Sequence, residues 1–588
     1  VTRALPTVFG APGRELSGLY HPPVAGAERG PAVVLCNPLG FEAMGAHRTM
    51  RHLAERLAAA GFPALRFDYH GTGDSSGQSG EPARIGAWVE DIRAAVREVR
   101  ARSGAQRVAL FGLRFGASLA TVAASGESDI DALVAWAPIV SGRAHVRELR
   151  AFRMLKAPKG RREDGGEEIG GYLFARDTLA DMSAIELLAR SDRGVSRVLI
   201  VPRGDAPARD ESELAAHWKA AGAEAELATT SGYAAMMRDD PYDSVLPSAT
   251  LDAIVAWLAR SGARAPASQP VTTPPAAVLA LQAPPGRQGL RETGILFGQG
   301  QRLFGIVTEP DVPARPDRPA ILLLNVGADS HVGPHRMNVE LARELAALGH
   351  VTFRFDVGGL GESLPAPGER ENRLYDLRSV DDVKTAMTAL GQERGVKRFV
   401  LVGLCSGAFL AYHTAVSDER VAGQVLLNMF AFEWKEGDPV APVERKTYLS
   451  NRFYAQQLMD SGVWRRALRG KVDVRGIATV MAGRLWERAR LDARDLGARI
   501  LGRVARTPVE RAFHALCDRG VQTLMVFSDK DGGLDMITPY LGPDARRMAR
   551  RREFSIEIAS GVDHTFASLA SQERLRQVVA RHVAARFG

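Results

Sequence analysis

Residues 399 to 409 read Phe-Val-Leu-Val-Gly-Leu-Cys-Ser-Gly-Ala-Phe. A β-branched apolar run enters a Gly-x-Cys-x-Gly turn, and small residues then open a helical pattern. A turn of this kind lifts one side chain, Cys405, from the end of a strand onto the start of a helix. Gly403 and Gly407 leave room for the strand and helix to approach. The free N–H groups and the dipole of a helix N-terminus favour a thiolate. The chemistry such a residue serves is nucleophilic attack on an acyl carbonyl, with a covalent intermediate.

A nucleophile so placed needs a base, an acid to orient the base, and N–H donors for the oxyanion, in the chain order nucleophile, acid, histidine. The base candidate is His564, in the loop Gly561-Val562-Asp563-His564-Thr565-Phe566 after the strand-like run Ser555 to Ile558. For the acid, the apolar run 522 to 527 leads into Ser528-Asp529-Lys530-Asp531-Gly532-Gly533-Leu534-Asp535. Asp531 is preferred, because the glycines after it let the chain fold back. Asp529 and Asp535 stand as alternatives or as substrate contacts. The oxyanion donors are expected from the backbone of Ser406 and of Val326 or Gly327. In the same loop His331 is a candidate substrate contact, whereas His335 and Arg336 are read as structural.

The elements that must carry these residues are written twice. A strand at 31 to 37, a loop ending His47-Arg48, a helix, and a strand ending Phe67-Asp68 recur in the second half. Arg336 and Phe355 stand 288 places after Arg48 and Phe67. Alternation of strands and helices predicts two mostly parallel sheets with helices on both faces. The turn recurs too: Gly112-Leu113-Arg114-Phe115-Gly116 matches it, with Arg114 in the place of Cys405. An arginine is no nucleophile, and no histidine follows Gly232 where His564 follows Gly561. The first half therefore reads as a domain without a triad, kept for structure or access, or as one whose Arg114 binds a carboxylate or phosphate.

Residues 1–260 and 289–588 form the two expected domains, joined by an Ala/Pro-rich linker at 261–288. A helix-rich segment from about 432 to 507 interrupts the second domain after the turn and is a lid candidate.

With these residues placed, the chain resembles the α/β-hydrolase superfamily, and within it the serine aminopeptidase-like hydrolases of bacterial biosynthetic clusters. The resemblance rests on Gly403 to Gly407, on Phe355-Asp356 with the Gly-Gly-x-Gly-Glu-Ser that follows, on the Asp529/Asp531 loop, and on Asp563 to Phe566. It implies two tandem α/β-hydrolase domains, each with a helical lid. Cysteine at the nucleophile resembles dienelactone hydrolase, the polyhydroxyalkanoate synthases and the bile acid–coenzyme A:amino acid acyltransferase. That exchange implies acyl transfer through a thioester, with an acyl thioester or activated ester as substrate, in secondary-metabolite or polysaccharide biosynthesis.

Composition narrows the field. At 588 residues the chain exceeds one ordinary core, and 45% hydrophobic with 24% charged residues describes a globular protein. No apolar run reaches the roughly 18 residues that span a bilayer, and the first residues lack a signal-peptide core, so a cytoplasmic protein is expected. Three cysteines, Cys36, Cys405 and Cys517, are too few for a disulfide framework. No spacing predicts a metal site, and no cofactor is expected. The net charge of +8 comes from dispersed arginines without a nucleic-acid motif. The run 546 to 552 reads as a solvated helix end, with docking of an acyl carrier protein or coenzyme A as the functional alternative. An oxygen-ester, lactone or amide hydrolase and a non-catalytic scaffold or carrier-binding module are the rival functions.

Overall fold

The computed structural model describes residues 3–24, 30–125, 130–156, 165–190, 195–205, 208–238, 240–260, 277–281, 289–312, 317–435, 486, 507–529 and 532–588. Contacts divide the chain into two compact units, Val1–Ala314 with Ala328–Asn372, and Arg315–Gly327 with Arg373–Gly588.

The first unit contains an eight-stranded sheet. Its order is Leu5–Ala11, Arg14–His21, Ala64–Phe67, Ala32–Cys36, Val108–Leu113, Ile130–Trp136, Arg197–Val201 and Glu224–Leu227. The first two strands make an antiparallel hairpin that joins Ala64–Phe67 antiparallel, and from there every pairing is parallel. Parallel strands covered on both faces must be apolar throughout, as Ala32–Cys36 and Val108–Leu113 are. Their side chains alternate between two cores. Val34 and Cys36 pack with Trp88 and Ile92 of the helix Arg84–Ser103. Val33 and Leu35 pack with Leu53 and Leu57 of the helix Phe41–Ala59 and with Leu251 and Ile254 of Ser248–Ala259. Each such aliphatic side chain contributes about 1.5–3 kcal/mol through burial.

Between Ile130–Trp136 and Arg197–Val201 the first sheet carries an insertion. It comprises the helix Gly142–Lys156, the hairpin Glu167–Ile169 with Tyr172–Phe174, and the helix Arg176–Ala184. The unit also holds four further antiparallel strands, in the order Val278–Leu281, Leu290–Phe297, Leu303–Pro310 and Thr352–Asp356. The expected linker is thus partly sheet. Val278–Leu281 pairs with Leu290–Phe297, burying Leu279 and exposing Val278, a two-residue period that the surrounding prolines disguise.

In the second unit the strands Ala320–Leu323, Phe399–Leu404, Val421–Leu427, Gln522–Ser528 and Phe554–Ala559 lie side by side, all parallel. Helices Ser379–Arg394, Ser406–Ser417, Pro508–Asp518 and Leu569–Phe587 accompany them. Of the expected lid, residues 436–506 other than Trp486 lie outside the described residues. Among the described residues no helix is long and apolar enough to cross a membrane.

Candidate active site

Cys405 sits between the strand Phe399–Leu404 and the helix Ser406–Ser417 with φ 55° and ψ −111°. This is a strained conformation for a residue with a side chain, and it costs on the order of 1–3 kcal/mol. The glycines allow it. A Cβ on Gly403 would lie 2.2 Å from the Gly407 carbonyl, and one on Gly407 would lie 2.5 Å from the Asn325 oxygen. Cys405 is half-buried, whereas Cys36 and Cys517 are buried, and burial pushes the Cys517 thiol up to about 11. Of the three, Cys405 alone combines access with a helix N-terminus.

Ser406 opens the helix. The Gly327 N–H donates to Ser406 Oγ at 2.9 Å, tying the loop after Ala320–Leu323 to that helix. Of the two loop candidates for the oxyanion, Gly327 therefore already has an acceptor.

The remaining parts lie at the carboxyl ends of the next three strands. Asn428 follows Val421–Leu427, is fully buried, and has φ 41°. Its Nδ2 donates to the His564 carbonyl at 2.7 Å, and its Oδ1 accepts from the Ser528 N–H at 2.7 Å. One amide thus ties the histidine loop to the end of Gln522–Ser528. Asp529 closes the same loop from the other side, its N–H donating to the Ala559 carbonyl and its Oδ1 accepting from the Gly561 N–H, each at 3.0 Å. Asp535 lies in the first turn of the helix Gly533–Leu541. Asp531 lies outside the described residues.

Sequence reasoning missed both Asn428 and Tyr375. The Tyr375 hydroxyl lies 3.1 Å from Cys405 Sγ, and its ring is packed edge-on by Phe409 and face-on by Trp434. No periodicity or motif marks either residue.

The first unit repeats the turn without its chemistry. Arg114 has φ 54° and ψ −123°, close to those of Cys405, and Gly112 and Gly116 stand where Gly403 and Gly407 do. Arg114 is buried; its Nε donates to Glu42 at 2.7 Å and its Nη2 to Glu148 at 2.6 Å. The guanidinium lies over the Tyr233 ring. The chain's own carboxylates fill the role expected of an outside anion, so the binding reading of Arg114 is withdrawn.

His331 is likewise corrected. It belongs to the first unit and is buried, with Nδ1 2.7 Å from Asp356 and Nε2 2.7 Å from Asp74. Burial alone would lower its pKa, but Asp356 and Asp74 outweigh that and hold it well above the usual imidazole range. A protonated ring with both nitrogens engaged bridges two carboxylates, and no donor remains for a substrate. Arg336 is structural, as expected, donating to the carbonyls of Gly73, Ser75 and Gly77.

Around His331 the repeated sequences exchange charges. Arg66 makes a two-pronged pair with Glu362 at 2.8 and 2.5 Å, while Arg354 meets Asp74 at 3.2 Å and Glu292 at 2.7 Å. Arg354 and Glu362 stand 288 places after Arg66 and Asp74, so each copy supplies the acid for the other's arginine. Among the described residues no group of three or more His, Cys, Asp and Glu side chains is placed to hold a metal ion.

Comparison with known proteins agrees with this architecture. Residues 41–161 match the family described as serine aminopeptidase S33, and residues 321–581 match the α/β-hydrolase family. The quorum-quenching protein AidA of Acinetobacter baumannii is 28% identical over 169 residues, which are 28% of this chain. The match spans about half, 53%, of that protein's length. Among solved structures, Est1E of Butyrivibrio proteoclasticus with bound ferulic acid is 17% identical, covering 43% of this chain and 97% of its own, at a TM-score of 0.35. The Pyrococcus furiosus esterase Pf2001 is 16% identical, covering 44% and 93%, at a TM-score of 0.32.

Proposed function

We propose that the chain carries two domains of the α/β-hydrolase superfamily and that the second is an acyl-transfer enzyme working through an acyl-cysteine at Cys405. The observation that carries this reading is the strained φ of 55° at a half-buried thiol between strand and helix. The same turn holds Arg114 in the first unit, so it is the thiol on the turn that points to nucleophilic chemistry.

In the first step Sγ attacks the carbonyl carbon of an acyl thioester or activated ester, and His564 takes the thiol proton. The tetrahedral oxyanion is held by the N–H groups of Ser406 and Val326. As the carbonyl re-forms, the bond to the leaving thiol or alcohol breaks, and His564 returns the proton to it. In the second step water, an alcohol or an amine attacks the acyl-cysteine, its proton passes to His564, and Sγ leaves as thiol once more. Asp531 is the proposed orienter of His564, because Asp529 already uses a carboxylate oxygen on the Gly561 N–H. A thioester substrate suits a cysteine, since exchanging one thioester for another is nearly balanced in energy. Coenzyme A or an acyl carrier protein is the proposed acyl donor, and biosynthesis the proposed setting.

A second reading is favoured by the match of residues 321–581 to the α/β-hydrolase family: hydrolysis, with water as the acceptor, at the same cysteine. One experiment addresses both. The full chain is mixed with acyl-coenzyme A and acyl-N-acetylcysteamine thioesters, and separately with oxygen esters and lactones, and followed by intact-mass spectrometry. A covalent mass gain from thioesters, lost in Cys405→Ala, supports acyl transfer. Turnover of oxygen esters or lactones alone favours hydrolysis, and an adduct that survives Cys405→Ala overturns both.

A further inference from the structure

We infer that Tyr375 is a positioning residue for Cys405: its phenol donates to Sγ as the thiol proton is lost, and so sets the pH at which the sulfur reacts. The inference rests on the acyl-cysteine reading and deepens it. Tyr375 has φ 55°, a conformation that bulky aromatic residues rarely adopt. Its hydroxyl lies 3.1 Å from the sulfur of Cys405, which also has φ 55°. Two strained residues in direct contact mark a geometry that the surrounding packing must impose.

That packing is on hand. Phe409 meets the Tyr375 ring edge-on with centroids 5.5 Å apart, and Trp434 stacks on it at 6.1 Å. Phe409 stands one turn along the helix that Cys405 caps, and its N–H donates to the Cys405 carbonyl at 3.2 Å. One helix therefore fixes the nucleophile and one side of the clamp on its partner.

The direction of the bond follows from donor strength. A phenol O–H is a strong donor, a thiol S–H a weak one, and a thiolate can only accept. The contact is therefore strongest with charged sulfur, and the hydroxyl favours that form. Acylation turns the sulfur into a thioester, a poor acceptor, and weakens this contact. The interaction thus strengthens as the sulfur loses its proton and weakens once the acyl group is on it.

The test needs no substrate. Alkylation of Cys405 by iodoacetamide is followed in the full chain from pH 5 to 10, with peptide mass spectrometry to locate the label. Tyr375→Phe keeps the ring and removes the hydroxyl. The expected result is a rate at pH 7 lower by about tenfold and a pH midpoint higher by about one unit, with an unchanged melting temperature. A superimposable or lowered midpoint overturns the inference. If Tyr375→Phe does not fold, 3-fluorotyrosine at position 375 replaces it. The stronger donor should move the midpoint down, and no movement again overturns it. A normal shift with no thioester adduct in the unaltered chain would sink the acyl-transfer reading and leave Tyr375 in place.

Discussion

Asn428 and Ala137 occupy corresponding places, 291 residues apart, just past the strands Val421–Leu427 and Ile130–Trp136. Both have positive φ, and both donate their N–H to the next strand at 2.8 Å, to Val526 and Val201 respectively. Only Asn428 has an amide to reach the histidine loop. Asn428→Ala leaves the Ser528 N–H and the His564 carbonyl without that partner and should cost about 1–3 kcal/mol of stability, read by chemical denaturation. It should also lower the turnover number more than it raises KM, because it loosens the loop of the proposed base and leaves Cys405 alone. Cys405 and His564 stood out in the sequence because local spacing and chain order mark them. Asn428 and Tyr375 did not, since one polar residue after an apolar strand reads as an ordinary turn. Tyr375 owes its importance to Cys405, thirty residues downstream, across a contact that no local pattern encodes.

At the scale of elements, the helices and parallel strands of the alternating core were legible because burial on both faces forces apolar runs between amphipathic helices. The antiparallel strands Leu5–Ala11, Arg14–His21 and Val278–Leu281 were not, for the first two mix polar with apolar residues around Gly10 and Gly13, and the third is a 4-residue run among prolines. The same edge holds the buried ion lattice, which sequence spacing cannot reveal because its partners come from separate copies of the repeat. Glu292 shows what the lattice does. Burial alone would raise its pKa, but Arg343 and Arg354 outweigh that and bring it down to about 2. Its contribution is present above the unfolded carboxylate range, near 4.3, and is lost as the pH falls toward 2. Glu292→Gln should therefore lower stability at pH 7 by about 3–5 kcal/mol, because Arg343 and Arg354 both lose its carboxylate and Arg354 keeps only Asp74. The gap from the unaltered chain should close as the pH is lowered through that window, and thermal melts at a series of pH values check it.

For the molecule as a whole, two copies of one fold carry one candidate site. The first copy has Arg114 for the nucleophile, Ala137 for the amide and no histidine after Gly232. Saturating acylation should therefore give a mass gain of one acyl group per chain. Arg114→Cys should add no second one, and should destabilise the chain because Glu42 and Glu148 lose the guanidinium that neutralises them. The exchange of acids between Arg66 and Arg354 is reciprocal within the first unit: Arg66 meets Glu362, and Arg354 meets Asp74. In a pair of identical chains one substitution would alter both contacts at once. On a single chain each is altered alone, and the two differ in their neighbours. Glu362 shares its carboxylate with His47, while Asp74 shares its own with His331, a residue that has no counterpart in the first copy.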